Sequence, residues 1–298
     1  SVAENLAALQ RVDQVVTFGD EAIAAPDGFE VECHEFSLKR ERMVASIHSA
    51  VASFHELEVL KKSWRPNGQA LGTLINREFY QNRILFAPTA AEFLGESNLV
   101  VDLITSGIGS STKGTSAVES PDAEVDKVIA LVLKHAAEQP EDSLLVATAS
   151  KLHADRIEQA LRIALKSKPE LDEFFDSHGR EKFEVTSLAS LSHRVADRVI
   201  FSIGFGTDGE GRAPEAIGEL AGPTGRRHLA NLLVSARNSI TVVSCFGAEK
   251  LQQGGPLNIN NLLAEVLSGS KLSPSEETDD DPLLQDLALR LAKLGARV

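Results

Sequence analysis

The chain has 298 residues, 30 Lys and Arg against 43 Asp and Glu, a formal net charge of −13, and hydrophobic and charged fractions of 43% and 24%. It is long enough to bury a full core, and its acidity excludes a generally basic nucleic-acid binder, so any such contact has to be a local patch. No apolar run reaches the ~18 residues a membrane helix needs, the start carries no signal-peptide pattern, and two cysteines, Cys33 and Cys245, are too few for a disulfide framework or a zinc site. The expectation is a cytoplasmic protein with reduced thiols.

In chain order, residues 1–11 read as a helix end with Leu6 and Leu9 on one face, and VDQVVTFG as a strand that leaves through a Gly19-Asp20 turn. A helix-rich stretch covers 47–84, and 87–123 is loop-rich. Within that loop GIGSSTKGTS suggests a phosphate loop, but Lys113 precedes Gly114 instead of following a glycine, which excludes the Walker A pattern. Val125, Val128, Ile129 and Val132 form an apolar helical stripe over 123–135. A buried strand follows at 143–150, then a helix over 151–166. Ser150 at that helix start is either an N-cap or a phosphate contact. A charged and aromatic connector runs from Pro169.

Two β-branched runs, 198–203 and 239–244, read as buried parallel strands. They flank a glycine-rich loop, GFGTDGEG, and a helix-compatible segment around 228–236. A short helix lies within 255–269, an acidic linker covers 270–281, and 282–298 reads as an amphipathic helix with Leu284, Leu287, Leu291 and Leu294 on one side. No H-x-x-E-H, C-x-x-C or G-x-S-x-G spacing occurs, so neither a metal site nor a hydrolase triad is expected.

The order of these segments resembles the second RecA-like lobe of superfamily-one helicases across about residues 10–250. Gly19, Asp20 and Pro26 match the motif III pattern V-V-V-x-G-D-x-x-Q-x-x-P, with Ile23 at the glutamine. Trp64-Arg65-Pro66 stands where Tyr-Arg-Ser is usual, with Asn76, Phe79 and Tyr80 in register. Val146, Thr148 and Ile157 match V-x-T-x-x-x-x-Q-x-x-x-I, with His153 at the glutamine. In motif V, Asp197 and Ser202 are kept, while Ser192, His193 and Val195 replace Gln, Gly and Glu. In motif VI, Arg227 and Arg237 match the first and last arginines of R-R-L-N-V-x-x-T-R-A-R, Ala230 stands at the asparagine and Ser235 at the finger. The loop beginning at Ser202 is similar to the S-x-G-Y-G-x-D-x-x-G of certain large bacterial helicases.

The resemblance implies an α/β, RecA-like P-loop NTPase-type lobe, a mainly parallel sheet with helices on both faces, spanning 1–269. It implies Arg65, Arg227 and Arg237 as phosphate-facing catalytic residues, Gly19 and Asp20 as nucleotide sensors, and Thr148, Ser150 and Ser187 beside nucleic-acid backbone. A misplaced register would give the arginine role to Arg194 or Arg237. The implied partners are nucleic acid, with DNA expected ahead of RNA, and an N-terminal RecA-like lobe. The final helix either opens a nuclease-like domain or docks on the lobe. ATP and Mg²⁺ belong to the full-length parent and are not expected to bind tightly to this chain alone, which lacks a P-loop and an acidic pair. A serine has neither the charge nor the planar donor fork of a guanidinium. Two readings stay open: a lobe of an ATP-dependent helicase, and an ATPase-dead helicase-derived scaffold that holds partner domains. A small-molecule-binding α/β domain is a third, with no ligand named by the residues.

Overall fold

The computed structural model describes residues 11, 13–20, 22–23, 58–63, 65–66, 68–86, 97–104, 110–111, 118–176, 181–191, 194–208, 210–252, 254–255, 258–269 and 290. Trp64, Ser192, His193, Cys33, the acidic linker, most of the 107–116 loop and nearly all of the final helix lie outside the described residues.

Its centre is a five-stranded, wholly parallel sheet in the order β3-β9-β8-β6-β7. These strands are β3 (Leu99–Leu103), β6 (Leu144–Thr148), β7 (Glu184–Ser187), β8 (Ala196–Ser202) and β9 (Ala236–Ser244). Successive side chains on a strand face opposite ways, and each of the three central strands is apolar on both faces, as a parallel sheet covered on both sides requires. Leu145, Ala147, Val199, Phe201, Ile240 and Val242 point into one cluster. There they meet α1 (Gln69–Tyr80), α5 (Gly225–Ser235) and α6 (Ile259–Ser268). Leu144, Val146, Ile200 and Val243 point the other way, onto α2 (Asp122–Glu138) and α3 (Lys151–Leu165). The α/β architecture with helices on both faces is as expected.

The helices form where the sequence favours them. Ser150 caps α3, its side chain accepting from the His153 amide, and Asn258 caps α6 in the same way. Buried Asn98 accepts from the Leu71 amide in the first turn of α1. Asn76, in register with the helicase asparagine, ties the end of α1 to the following strand: its amide donates to the Ile84 carbonyl at 2.6 Å and its carbonyl accepts from the Ile84 amide at 3.0 Å. That strand, β2 (Leu85–Phe86), pairs in parallel with β1 (Lys62–Ser63). β4 (Ser110–Ser111) and β5 (Val118–Glu119) pair antiparallel. A short α4 (Asp172–Asp176) follows a 3-10 turn at Pro169–Leu171.

The expected strand over VDQVVTFG is not seen: among the described residues, 14–20 pair with no strand, and Phe18 is 90% exposed. A lone strand has no partner for its backbone hydrogen bonds. Conversely, β3 lies in the stretch read as loop-rich, and β7 went unread as a strand. Both are edge strands of four or five residues, and β3 carries Asp102, paired with Lys127 of α2 at 2.7 Å, so neither shows a continuous apolar run.

The winding reverses between β6 and β8. From β6 the chain crosses through α3 to β7 on one side; from β8 it crosses through α5 to β9 on the other. Such a reversal opens a crevice at the carboxyl ends of the strands in many α/β sheets. Here the long loop after β8 returns across it. The Glu219 amide donates to the Ala149 carbonyl at 2.8 Å, and the Glu219 side chain accepts from the Ala189 amide at 2.6 Å. Gly218 sits at φ 45°, and a Cβ there would fall 2.1 Å from the Ala149 carbonyl oxygen. Gly218→Ala is therefore expected to cost about 2–3 kcal/mol through strain and displacement of this loop, measured by urea unfolding. Gly222→Ala, with no atom nearer than 4.0 Å, should stay within about 0.5 kcal/mol of the parent.

Candidate functional site

A cleft of about 220 Å³ gathers residues from four parts of the sequence: Ile23, Arg65, Arg194 with Val195, and Asn231 with Val234, floored by Leu191. Arg65 follows β1, Arg194 and Val195 lead directly into β8, and Asn231 and Val234 lie on α5. α5 is fixed in place by its other faces. Leu229, Leu232 and Leu233 are fully buried against the sheet, and Arg226 lies 5.5 Å over the Phe79 ring while donating to the Glu78 carboxylate at 3.3 Å. Arg227, Asn231 and Val234 follow the i, i+4, i+7 stripe of one helix face, so exposed Arg227 stands one turn, about 6 Å, above the Asn231 wall.

The cleft holds two guanidinium groups, Arg65 and Arg194, and no carboxylate lines it among the described residues. Arg194 reaches Glu184 at 3.1 Å in an exposed pair, a weak contact that an anion could displace. Four apolar side chains around two cations lower the local dielectric and strengthen any charge-assisted bond to an oxyanion. The group can bind an anion; among the described lining residues none is a nucleophile or a general base. A second concavity, about 210 Å³ beside Lys134, His135, Arg198 and Thr241, has its charged groups already paired: Arg198 with Asp142 at 3.0 Å and Lys134 with Glu138 at 3.8 Å.

The remaining expected site residues lie elsewhere. Arg237 is the second residue of β9, one position after Ala236, which is buried on the α5 side; its side chain therefore leaves on the opposite sheet face. It forms a two-pronged contact with Glu181 and reaches Asp197 at 3.2 Å. Ser143 Oγ lies 2.7 Å from each of the same carboxylates, with one proton to share between them, and accepts from the Asp197 amide at 2.9 Å. The bond to Arg237 holds the Glu181 carboxyl below its usual range. At Asp197 burial acts upward, but the bonds from Ser143 and Arg237 together outweigh it and leave it lowered. Asp197 thus ties β6 and β8 to β9. Ser235 is buried and donates to the Leu232 carbonyl at 2.7 Å. Asp20 accepts from the Tyr80 hydroxyl and from the Ala22 amide, the latter at 2.9 Å, which docks the exposed Gly19-Asp20 turn on α1. Thr148, Ser150 and Ser187 are all buried. The Thr148 hydroxyl donates to the Ser150 carbonyl at 2.7 Å, and Ser150 caps α3.

One cluster was not anticipated. Ser120, Glu124, His153 and Ser202 are fully buried where the winding reverses, next to half-buried Cys245. Glu124 accepts from Ser202 Oγ and from the Gly204 amide, each at 2.7 Å, and the Cys245 thiol approaches at 3.4 Å. Burial pushes the Glu124 carboxyl up to about 7 against those hydrogen bonds. Burial, then the charge of Arg156, pushes His153 down to about 3. The Cys245 thiol is raised by burial and then by Glu124. A signal was present in the sequence: Glu124 precedes Val128 and Val132 by four and eight residues, which places a carboxylate on the buried stripe of α2.

No family model matches the sequence, and no curated protein matches it. Among solved structures, the C-terminal domain of a possible DNA helicase from Lactobacillus plantarum WCFS1 is similar at 14% identity over 61% of this chain and 88% of that one, with a TM-score of 0.35. Among the described residues no helix is long and apolar enough to cross a membrane, and no group of three or more His, Cys, Asp or Glu is placed to hold a metal ion.

Arg237 and Arg227 separate the structural arginine from the exposed one. Arg237→Ala strands Glu181 and Asp197 beside each other without a counter-charge, and should cost about 1–2 kcal/mol given their partial exposure. Arg227→Ala should stay within about 0.5 kcal/mol. Urea unfolding of both variants checks the pair.

Proposed function

We propose that this chain is the second RecA-like lobe of a helicase-related protein, and that its Arg65–Arg194–Asn231 cleft receives the terminal phosphates of a nucleotide held by a partner lobe. ATP and Mg²⁺ would be engaged by the parent, with nucleic acid as the polymer it acts on. The observation that carries this reading is the convergence of two arginines, 129 positions apart in sequence, on one small cleft that no carboxylate lines among the described residues. Arg227, on the same stripe of α5 as Asn231, would extend the positive wall toward the rest of the polyphosphate. Arg237 is left a structural part, and Arg194 takes the place the motif pattern gives it. Contact between nucleic-acid backbone and Thr148, Ser150 or Ser187 would require the loop around Gly218 to lift.

The second reading, a scaffold without ATPase activity, is favoured by a specific feature. Ile23, Val195 and Ser235 stand where the motif patterns carry Gln, Glu and the arginine finger, and none of them presents a charge. Either way the chain is a binding surface and not a complete catalyst.

Titration of the chain with ATP and with inorganic tripolyphosphate, followed by ¹⁵N chemical shifts, distinguishes the two. Under the phosphate reading both ligands bind weakly and shift residues 191–195 and 227–234. Arg65→Ala and Arg194→Ala should each weaken binding roughly tenfold, about 1.4 kcal/mol. Absence of shifts with both ligands would remove the phosphate reading and leave the scaffold.

A further inference from the structure

The cluster at the reversal point is a directional hydrogen-bond chain, and its direction follows from what each atom is able to do. Glu124 Oε1 accepts from the Gly204 amide and from Ser202 Oγ. A hydroxyl has one proton, so Ser202 Oγ must accept at its other contact, His153 Nε2 at 2.7 Å. The ring proton therefore resides on Nε2. His153 Nδ1 is bare and accepts from Ser120 Oγ at 2.7 Å. If Glu124 takes up a proton, Oε2 can carry it, opposite the Cys245 sulfur, while Oε1 goes on accepting. The chain thus survives either state of the carboxyl.

The chain joins separate segments. The Ser120 amide donates to the Gly204 carbonyl and the Gly206 amide to the Val118 carbonyl, both at 2.7 Å, and Glu119 bridges Phe205. Gly204, at φ 73°, lies so close under the imidazole that a Cβ would meet the His153 ring at 2.5 Å. The turn after β8, the entry to α2 and the first turn of α3 are therefore held at one point.

We propose that Ser120, His153, Ser202 and Glu124 form a proton-compensated latch: the chain pins the turn after β8 to α2 and α3, and its acidic and basic members respond to pH in opposite senses that cancel under mildly acidic conditions. Among the described residues no other charged side chain bonds to either group, although the charge of Arg156 acts on His153. Glu124 Oε1 and His153 Nε2 are 3.9 Å apart. From α3, Arg156 is committed to Asp122 and to the Ser120 carbonyl. On α2, Lys127 is paired with Asp102 of β3. After β9, Cys245 offers only a thiol.

The signs follow from the two shifts. Glu124 ordinarily ionises near 4.5 and does so near 7 in the folded protein. The stability gained from its raised value is fully present below about 4.5 and is lost as pH rises through 7. His153 ordinarily protonates near 6.5 and does so near 3 when folded. Its stability is fully present above about 6.5 and is lost as pH falls toward 3. Between about 4.5 and 6.5 one loss offsets the other.

Urea unfolding of the wild-type chain, Glu124→Gln and His153→Asn at about pH 5 and about pH 6.5 tests the latch. Relative to wild type, the unfolding constant of Glu124→Gln should fall on the order of tenfold across that interval, because only the histidine response is left. That of His153→Asn should rise on the order of tenfold. Variants that move in the same direction, or that keep the wild-type slope, overturn the proposal. Should either variant fail to fold, the ¹⁵N shifts of the wild-type His153 ring decide. A neutral ring protonated on Nε2 down to about pH 5 supports the latch; a ring protonated on Nδ1, or on both nitrogens, at that pH overturns it.

Discussion

A carboxyl group with no cation paired to it among the described residues sits at the point where the winding of the sheet reverses, and much of the architecture is arranged around it. Taking an ion out of water is costly unless hydrogen bonds replace its hydration. Glu124 is supplied by a backbone amide, a serine hydroxyl and a thiol drawn from β8, the turn after it and the end of β9. Those donors lie next to one another only when β6, β8 and β9 are in register and α2 and α3 cover the same face. The polar network therefore acts as a check on the assembly of the apolar layers: a slipped strand would leave several buried polar groups unsatisfied at once.

The same crevice explains why the proposed binding surface lies elsewhere. An open α/β sheet ordinarily takes ligands at the carboxyl ends of its strands, at the reversal. In this chain that place is filled by His153, Ser202 and Glu124 and crossed by the loop through Gly218. The cations that are presented toward an accessible hollow lie instead beside α5, where Arg194 leads into β8 and Arg65 leaves the small β1–β2 ribbon. The surface at Arg65 is thus formed by segments remote in sequence and rests on a helix whose other faces are committed to the core and to Phe79 and Glu78.

The arginines show why motif matching divides as it does. Arg227 and Arg237 both fall on motif VI positions, yet the chain changes from helix to strand between them. Residues on a helix point every third or fourth position to one side, whereas neighbours on a strand point to opposite faces. Ala236 therefore turns into the core and Arg237 away from α5, toward Glu181 and Asp197. A motif records spacing along the chain, and spacing alone does not say on which side of that transition a side chain emerges.

Local periodicity was enough to place α2, α3, β6, β8 and β9, because their apolar residues repeat at the period of the element that buries them. It also indicated the parallel character of the sheet, whereas Ser150 stayed open between a cap and a phosphate contact until the structure showed it capping α3. It did not find β3 and β7, which are short edges without a continuous apolar run, and it took VDQVVTFG for a strand although the sheet offers that segment no neighbour. The convergence of Arg65 with Arg194, the withdrawal of Arg237 and the joining of Glu124, His153, Ser202 and Ser120 were decided by tertiary structure alone. Periodicity is a property of neighbouring residues and can be read along a chain; desolvation and hydrogen bonding between residues 33 to 78 positions apart exist only once the layers have closed around them.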